Sequence, residues 1–376
     1  MTPASRATPP LRRVEECGGV RRFDSARPFS RAGRFSWAGR FSRTCRFSRA
    51  GLKRLVLAAL AAQLGAAPVL ASQADRSSPG MELLVKMQQA AGGLDYAGVY
   101  TYQQGSTVLS TRVAHIVDGT GERERISLLD GEPREYIRHN ETTQCLLPAH
   151  KIVLMERRAP DRFPAILFDD GSRLPAHYEL QLSDAPERVA GRNCREVTLT
   201  PRDTQRYGYR LCADQATGLL LRAQTVGPEG VLTQVVFNTL EVGKGVQPDA
   251  LQPAWNTKGW DVVEVPVNEV DLAAEGWRIP LPPGYQPLTQ VTRHMKADRK
   301  VKQLVASDGL SSISVFIEAY AEPGGRVRTP GLARKGAMSV YRKRMGEHWL
   351  TVLGEVPADT VRDLAERTEY VPLAAR

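Results

Sequence analysis

Cysteine and histidine offer this 376-residue chain its widest chemical range, and their spacing narrows what they can do. The chain has no CxxC pair and no Cys/His ligand spacing, so a zinc site has no support. The six histidines, at 115, 139, 150, 177, 294 and 348, form neither an HExxH motif nor an i, i+4 pair. Gly119-Thr120-Gly121 lacks the rest of a P-loop or dinucleotide fingerprint and reads as a hairpin turn, and no GxSxG elbow occurs. Asp169 and Asp170 sit in a turn-like sequence where capping or solvation explains them. The expectation is a protein without catalytic residues, metal or cofactor.

Cys194 and Cys212 belong to the clearest strand pattern in the chain, residues 187–226. Three runs, 188–200, 206–213 and 218–226, are separated by turn formers at 201–205 and 214–217. A turn centred on Asp203 sets Cys194 opposite Cys212, Glu196 opposite Arg210, Val197 opposite Tyr209 and Leu199 opposite Tyr207. Because side chains alternate, one face carries the cysteines and the Glu/Arg pair. The other carries Val197, Leu199, Tyr207, Tyr209 and Leu211. Opposed in an oxidising compartment, Cys194 and Cys212 are candidate disulfide partners. Two reduced cysteines are the alternative, with Cys145 as the odd thiol or a rival partner.

The formal charge of +10 comes from one end of the chain. Residues 1–54 hold 14 Lys/Arg against 3 Asp/Glu, which leaves 37 basic and 38 acidic residues for the rest. Nucleic-acid binding therefore has no support from charge. Residues 22–51 repeat a hexamer with phenylalanines at 23, 29, 35, 41 and 47, a period that fits neither helix nor strand. Residues 1–52 are expected to be a disordered Arg-rich leader, or an upstream repeat translated from a start assigned too early. Residues 53–74 have the charged, apolar and small-residue regions of a cleavable signal peptide. Their apolar run is too short and alanine-rich for a membrane span, so the mature protein is expected to be exported and soluble.

These candidates need elements to position them. Ser78-Pro79 caps a helix through Ala91, with Met81, Leu84 and Met87 as its apolar stripe. Strand-like runs follow at 96–103, 106–117, 122–129, 134–140 and 151–156, then at 177–182, and at 231–242 after the central hairpins. Residues 75–250 are expected to form one strongly curved antiparallel sheet, with helices plugging its concave side, that closes into a barrel or leaves an apolar cavity. Residues 251–275 read as a linker. Residues 276–376 read as a smaller α+β domain, with strands at 288–294, 301–307, 312–321, 338–344 and 349–355 and a closing helix at 359–368.

A cavity of this kind beside basic loops suits an acylated, anionic amphiphile. Its expected lining is Val197, Leu199, Tyr207, Tyr209 and Leu211, with Phe163, Ile166, Leu167 and Phe168 at the mouth. Arg157, Arg158 and Arg162 near the mouth, and Arg342, Lys343 and Arg344 in the second domain, are the expected contacts to anionic groups.

Several segments carry a family likeness: Val189-Ala190-Gly191-Arg192, Pro201-Arg202-Asp203, the run from Arg206 to Leu211, the run from Thr217 to Arg222, Asp308-Gly309-Leu310 with Ser314-Val315-Phe316, and the run from Leu353 to Pro357. With these in order over two domains, the chain resembles the RseB/MucB family of periplasmic regulators of the sigma-E (AlgU) envelope-stress response. The resemblance implies an α+β protein. Its large domain would be a half-open antiparallel β-barrel with plugging helices, like the lipoprotein carriers LolA and LolB, joined to a smaller α+β domain. It also implies a non-enzymatic negative regulator in the periplasm of a Gram-negative cell. The partner would be the periplasmic domain of a membrane-anchored anti-sigma factor of RseA/MucA type, shielded from site-1 proteolysis. Lipopolysaccharide or a similar amphiphile would release it. A periplasmic lipid or lipoprotein carrier is the alternative reading, and a homo-oligomer is left open.

Overall fold

Helix α1 (Pro79–Gly93) starts where the sequence puts its cap. The Ser78 hydroxyl accepts the Met81 N–H at 3.3 Å, and Pro79 occupies the first turn, where a missing N–H breaks no bond. Met81, Leu84, Met87, Ala90 and Ala91 form its buried stripe. The computed structural model describes residues 78–157, 171–264, 266–294, 300–320 and 329–372. The expectations for residues 1–52 and 53–74, and those for Arg158, Arg162, Phe163, Ile166, Leu167 and Phe168, lie outside the described residues.

Alternating sequence and tight turns then give six consecutive antiparallel strands: β1 (Tyr96–Gln104), β2 (Thr107–Asp118), β3 (Gly121–Leu128), β4 (Glu135–His139), β5 (Thr142–Leu147) and β6 (Ile152–Arg157). A short helix, α2 (Leu174–His177), leads into β7 (Tyr178–Leu182), β8 (Glu187–Val189), β9 (Arg192–Pro201), β10 (Gly208–Asp214), β11 (Leu220–Gly227) and β12 (Gly230–Val242). Strand β12 returns to pair with β1 and fuses the two meanders, while β13 (Asp261–Glu264) adds in parallel to β6. The result is a thirteen-stranded sheet whose end strands, β13 and β7, do not pair with each other. The sheet is open.

The sequence pattern gives no strand over residues 142–147, where β5 lies. Asn140 takes a left-handed φ of 53°, which asparagine tolerates, and reverses the chain so that His139 pairs with Thr142. The register of the central hairpin also differs from expectation. Leu199 faces Tyr209, Val197 faces Leu211 and Glu196 faces Cys212, two residues away from the expected pairing. Asp203 is the cause. Its Oδ1 accepts the Gln205 N–H at 2.9 Å, and this Asx turn moves the centre of the loop to Thr204. A two-residue shift preserves faces. Cys194 and Cys212 therefore still share one side, and they form a disulfide between diagonal positions, with Cα atoms 5.5 Å apart. Glu196 pairs with Arg222 of β11 at 2.8 Å, whereas Arg210 is exposed.

The second sheet contains β14 (Val267–Glu269), then, after the short β15 (Trp277–Arg278), the strands β16 (Gln286–His294), β17 (Lys300–Ser307), β18 (Ser312–Ala319), β19 (Gly331–Lys335), β20 (Met338–Met345) and β21 (His348–Gly354). Their order is β14-β16-β17-β18-β21-β20-β19. Helix α3 (Ala358–Arg367) buries Val361, Leu364 and Ala365 against Leu304, Ile313, Val315, Leu350 and Val352. A last strand, β22 (Glu369–Tyr370), pairs with β15. The span 251–275 joins the sheets by giving an edge strand to each, β13 to the first and β14 to the second.

The disulfide closes an 18-residue separation, for which lost chain entropy is worth about 3 kcal/mol. Replacing both Cys194 and Cys212 with alanine is expected to lower unfolding stability by about that amount in urea titrations. An unchanged midpoint would show that the first sheet gains nothing from the crosslink.

Candidate functional site

Val197 and Leu199 of β9, with Tyr209 and Leu211 of β10, lie on the face of the first sheet that α1 covers. They are buried with Met81, Leu84 and Met87 of α1, Leu174 of α2 and Tyr178 of β7. That face is filled by the helix. Tyr207 lies apart from this cluster and is buried.

The basic run in β20 does not form one patch, because neighbouring side chains on a strand point to opposite faces. Lys343 points toward α3 and bonds Glu366 at 3.2 Å. Arg344 faces the other way, its guanidinium 3.6 Å from the centre of the Tyr320 ring, which lies 6.0 Å from Trp349. Arg342 shares the Arg344 side. Arg157 is the last residue of β6.

The arrangement with the most chemistry is one the sequence analysis did not single out. Arg206, just before β10, and Asp308, in the turn after β17, meet 2.9 Å apart with both side chains fully buried. Asp308 Oδ2 accepts from Arg206 and from the Tyr178 hydroxyl at 2.9 Å. Its Oδ1 accepts the backbone N–H groups of Leu310 and Ser311 at 3.0 and 2.8 Å. Arg206 also donates to the Pro283 carbonyl at 2.6 Å and to Asp203 at 3.1 Å. Its guanidinium sits 5.7 Å from the Tyr178 ring and 5.3 Å from the Tyr285 ring, within cation–π range.

Charge outweighs burial here. Burial works to push the Arg206 pKa down, but the Asp308 carboxylate and its neighbours outweigh it, and the net shift is upward. Burial raises the phenols of Tyr178, Tyr209 and Tyr285. Each is therefore a neutral hydroxyl that can donate. With four donors on its carboxylate, Asp308 has no open position for a reacting proton. The cluster is a joint between the sheets. Gly284 supports it, with a φ of 83° and the His177 ring standing 2.3 Å from where a Cβ would lie. Thr360 of α3 adds a bond to the Gln205 carbonyl at 2.9 Å. The sequence signal was present but faint: an arginine opening an apolar strand, and an aspartate in a turn that also reads as an ordinary hairpin.

A second polar row crosses the first sheet: Tyr96, His115, Glu124 and Arg138 are successive cross-strand neighbours on β1 to β4. All four are buried. His115 Nδ1 donates to the Leu94 carbonyl at 2.8 Å and the ring stacks on Tyr96 at 4.9 Å, while Nε2 is buried without a hydrogen-bond partner. Arg138 bridges Glu122 and Glu124 at 3.1 and 3.2 Å. Among the described residues no group of three or more His, Cys, Asp or Glu is placed to hold a metal.

Two predictions follow from these clusters. Removing one member of a buried pair leaves an uncompensated charge, so Arg206→Met should cost about 3–5 kcal/mol in urea titrations. The double variant Arg206→Met/Asp308→Leu should recover part of that loss, and additive losses would rule out direct coupling. His115 supplies the pH test. Burial lowers its folded-state pKa, so the unfolded chain binds the proton more readily. Stability should fall as pH drops below about 6.5, and His115→Gln should flatten that slope. An identical slope in the variant would assign the pH response to other groups.

The joint and the two sheets can be set beside known proteins. Descriptions of the MucB/RseB N-terminal and C-terminal domains match residues 79–255 and 271–369. The chain is 29% identical over 306 residues to the sigma factor AlgU regulatory protein MucB of Pseudomonas aeruginosa, covering 79% of this chain and 93% of that protein. It is 24% identical over 300 residues to the sigma-E factor regulatory protein RseB of Haemophilus influenzae, covering 76% and 90%. Among solved structures, MucB in complex with MucA(peri) matches with a TM-score of 0.59 at 29% identity, over 79% of this chain and 100% of that one. A MucA/MucB complex from Pseudomonas aeruginosa gives 0.61 at 28% identity, over the same shares. The two matched segments take in both sheets in order, and the chain belongs to the MucB/RseB family.

Proposed function

We propose that this protein is a negative regulator that binds the periplasmic segment of a membrane-anchored anti-sigma factor of the MucA/RseA type and shields it from site-1 proteolysis. The strongest support is the likeness to MucB held in complex with MucA(peri), which runs the full length of that MucB chain. The Cys194–Cys212 disulfide suits an oxidising compartment, as expected for a periplasmic protein exported by a signal peptide at 53–74.

An acylated anionic amphiphile such as lipopolysaccharide would release the partner. Its tails would enter against Val197, Leu199, Tyr209 and Leu211 as α1, the plug of the first sheet, moves aside. Tyr207, Phe163, Ile166, Leu167 and Phe168 would line the way in, and Arg157, Arg158 and Arg162 would meet the head group. Arg342 and Arg344, side by side on one face of β20, would meet acidic groups of the partner, with Lys343 held by α3. Ligand and partner binding different arrangements of the protein would weaken each other reciprocally.

A protection assay tests this directly. Site-1 protease acts on the partner's periplasmic segment alone, with this protein, and with this protein plus lipopolysaccharide. Protection that lipopolysaccharide abolishes is expected; no protection would remove the regulator reading. For the contact face, Arg342→Glu/Arg344→Glu should weaken partner binding at least about tenfold, or roughly 1.4 kcal/mol, with an unchanged urea midpoint. Unaltered affinity would place the contact elsewhere.

A further inference from the structure

The turn between β17 and β18 serves two structures at once. Asp308 supplies the carboxylate of the buried joint, and two residues later Leu310, 6% exposed, is packed into the apolar core of the first sheet beneath α1. The second sheet thus provides one wall of a core that otherwise belongs to the first.

The turn is also rigid. Ser307 Oγ donates to the Ser311 carbonyl at 2.7 Å and accepts the Gly309 N–H at 3.0 Å. Gly309 has a φ of 104°, a conformation that favours glycine. With Asp308 Oδ1 holding the N–H groups of Leu310 and Ser311, the carboxylate and the leucine move as one body.

A tyrosine links the same places from the other side. The rings of Tyr178 and Tyr209 are part of the core under α1, 6.2 Å apart. The Tyr178 hydroxyl bonds Asp308, so the ring in the core and the bond in the joint belong to one side chain. As α1 moves aside, a molecule that fills the space against Leu310 and Tyr178 displaces that leucine or turns that ring. Either movement pulls on a bond of the joint.

On the reading above that an apolar tail enters beneath α1, we infer that the Asp308–Ser311 turn transmits occupancy of that core to the joint between the sheets. The tail and the closed joint compete. An acyl chain in the core loosens the Arg206–Asp308 contact, and a loosened joint admits the chain more readily. The coupling is reciprocal, as linkage requires. The second sheet's orientation thereby reports what the first sheet holds, without the ligand touching the second sheet beyond Leu310.

The test uses the full mature chain and dansyl-labelled undecanoic acid as the probe. Asp308→Asn weakens the joint directly, and Ser307→Ala loosens the turn while leaving Asp308 and Arg206 in place. Both variants should bind the probe about tenfold more tightly than the unaltered protein, the range expected of coupled sites. Binding with unaltered affinity in a folded variant overturns the inference while leaving the ligand reading intact. If the probe binds none of the proteins, the ligand reading fails, and hydrogen exchange of the unliganded chain decides the coupling. Faster exchange at α1 amides in Ser307→Ala, far from the substituted side chain in sequence, supports it. Exchange at α1 that matches the unaltered protein rules it out.

Discussion

The Asp308 carboxylate is the constraint on which the two-sheet arrangement depends. A charge removed from water is costly unless each of its acceptor positions finds a donor. Here the donors come from opposite sides: Arg206 and Tyr178 from the first sheet, Leu310 and Ser311 from the second. Neither sheet alone can satisfy the group. A rotation of one sheet on the other that keeps apolar contacts roughly intact would still strand the carboxylate or the guanidinium. A well-packed apolar pair at the same place could give equal stability, since buried ion pairs are often no better than hydrophobic replacements. What the ion pair adds is direction, because the two hydrogen bonds that reach Asp308 from the first sheet fix one orientation where apolar contact permits several.

Each sheet otherwise completes itself by familiar means. Helix α3 covers one face of the second sheet with a narrow stripe of Val361, Leu364 and Ala365. Helix α1 does the same for the first, although two of the three large residues of its stripe, Met81 and Met87, are methionines. Methionine packs adaptably and specifies a single arrangement poorly. The two covers therefore differ in kind: the stripe of α3 has side chains of fixed shape, and the stripe of α1 has methionines that adapt.

Local chemistry was legible in the sequence and long-range chemistry was not. The Ser78 cap, the apolar stripe of α1 and the faces of β9 and β10 all follow from neighbours within a few residues. The register of the central hairpin was missed by two because Asp203 folds the loop on itself, yet the faces survived because two is the period of a strand. Arg342, Lys343 and Arg344 look like a cluster along the chain and are separated by the same alternation. The joint was only faintly marked for a different reason. Arg206 and Asp308 are 102 residues apart, and nothing in the spacing of either announces a partner. A buried charge can be recognised only once the fold shows that it is buried.

On the proposed function, the protein holds one arrangement firmly and yet releases it for a ligand of modest differential affinity. Those demands conflict in a purely apolar interface, where resistance to separation grows with area and yields gradually. They conflict less in a joint built on few directional bonds, because each weakens steeply over a small displacement. Tyr178 sits where this matters. Its ring belongs to the apolar core under α1 and its hydroxyl belongs to the carboxylate. A shift too small to unfold the core is enough to break a 2.9 Å hydrogen bond, whose strength falls steeply with distance and angle. Packing changes in the first sheet thus reach the second through the interaction least able to tolerate them.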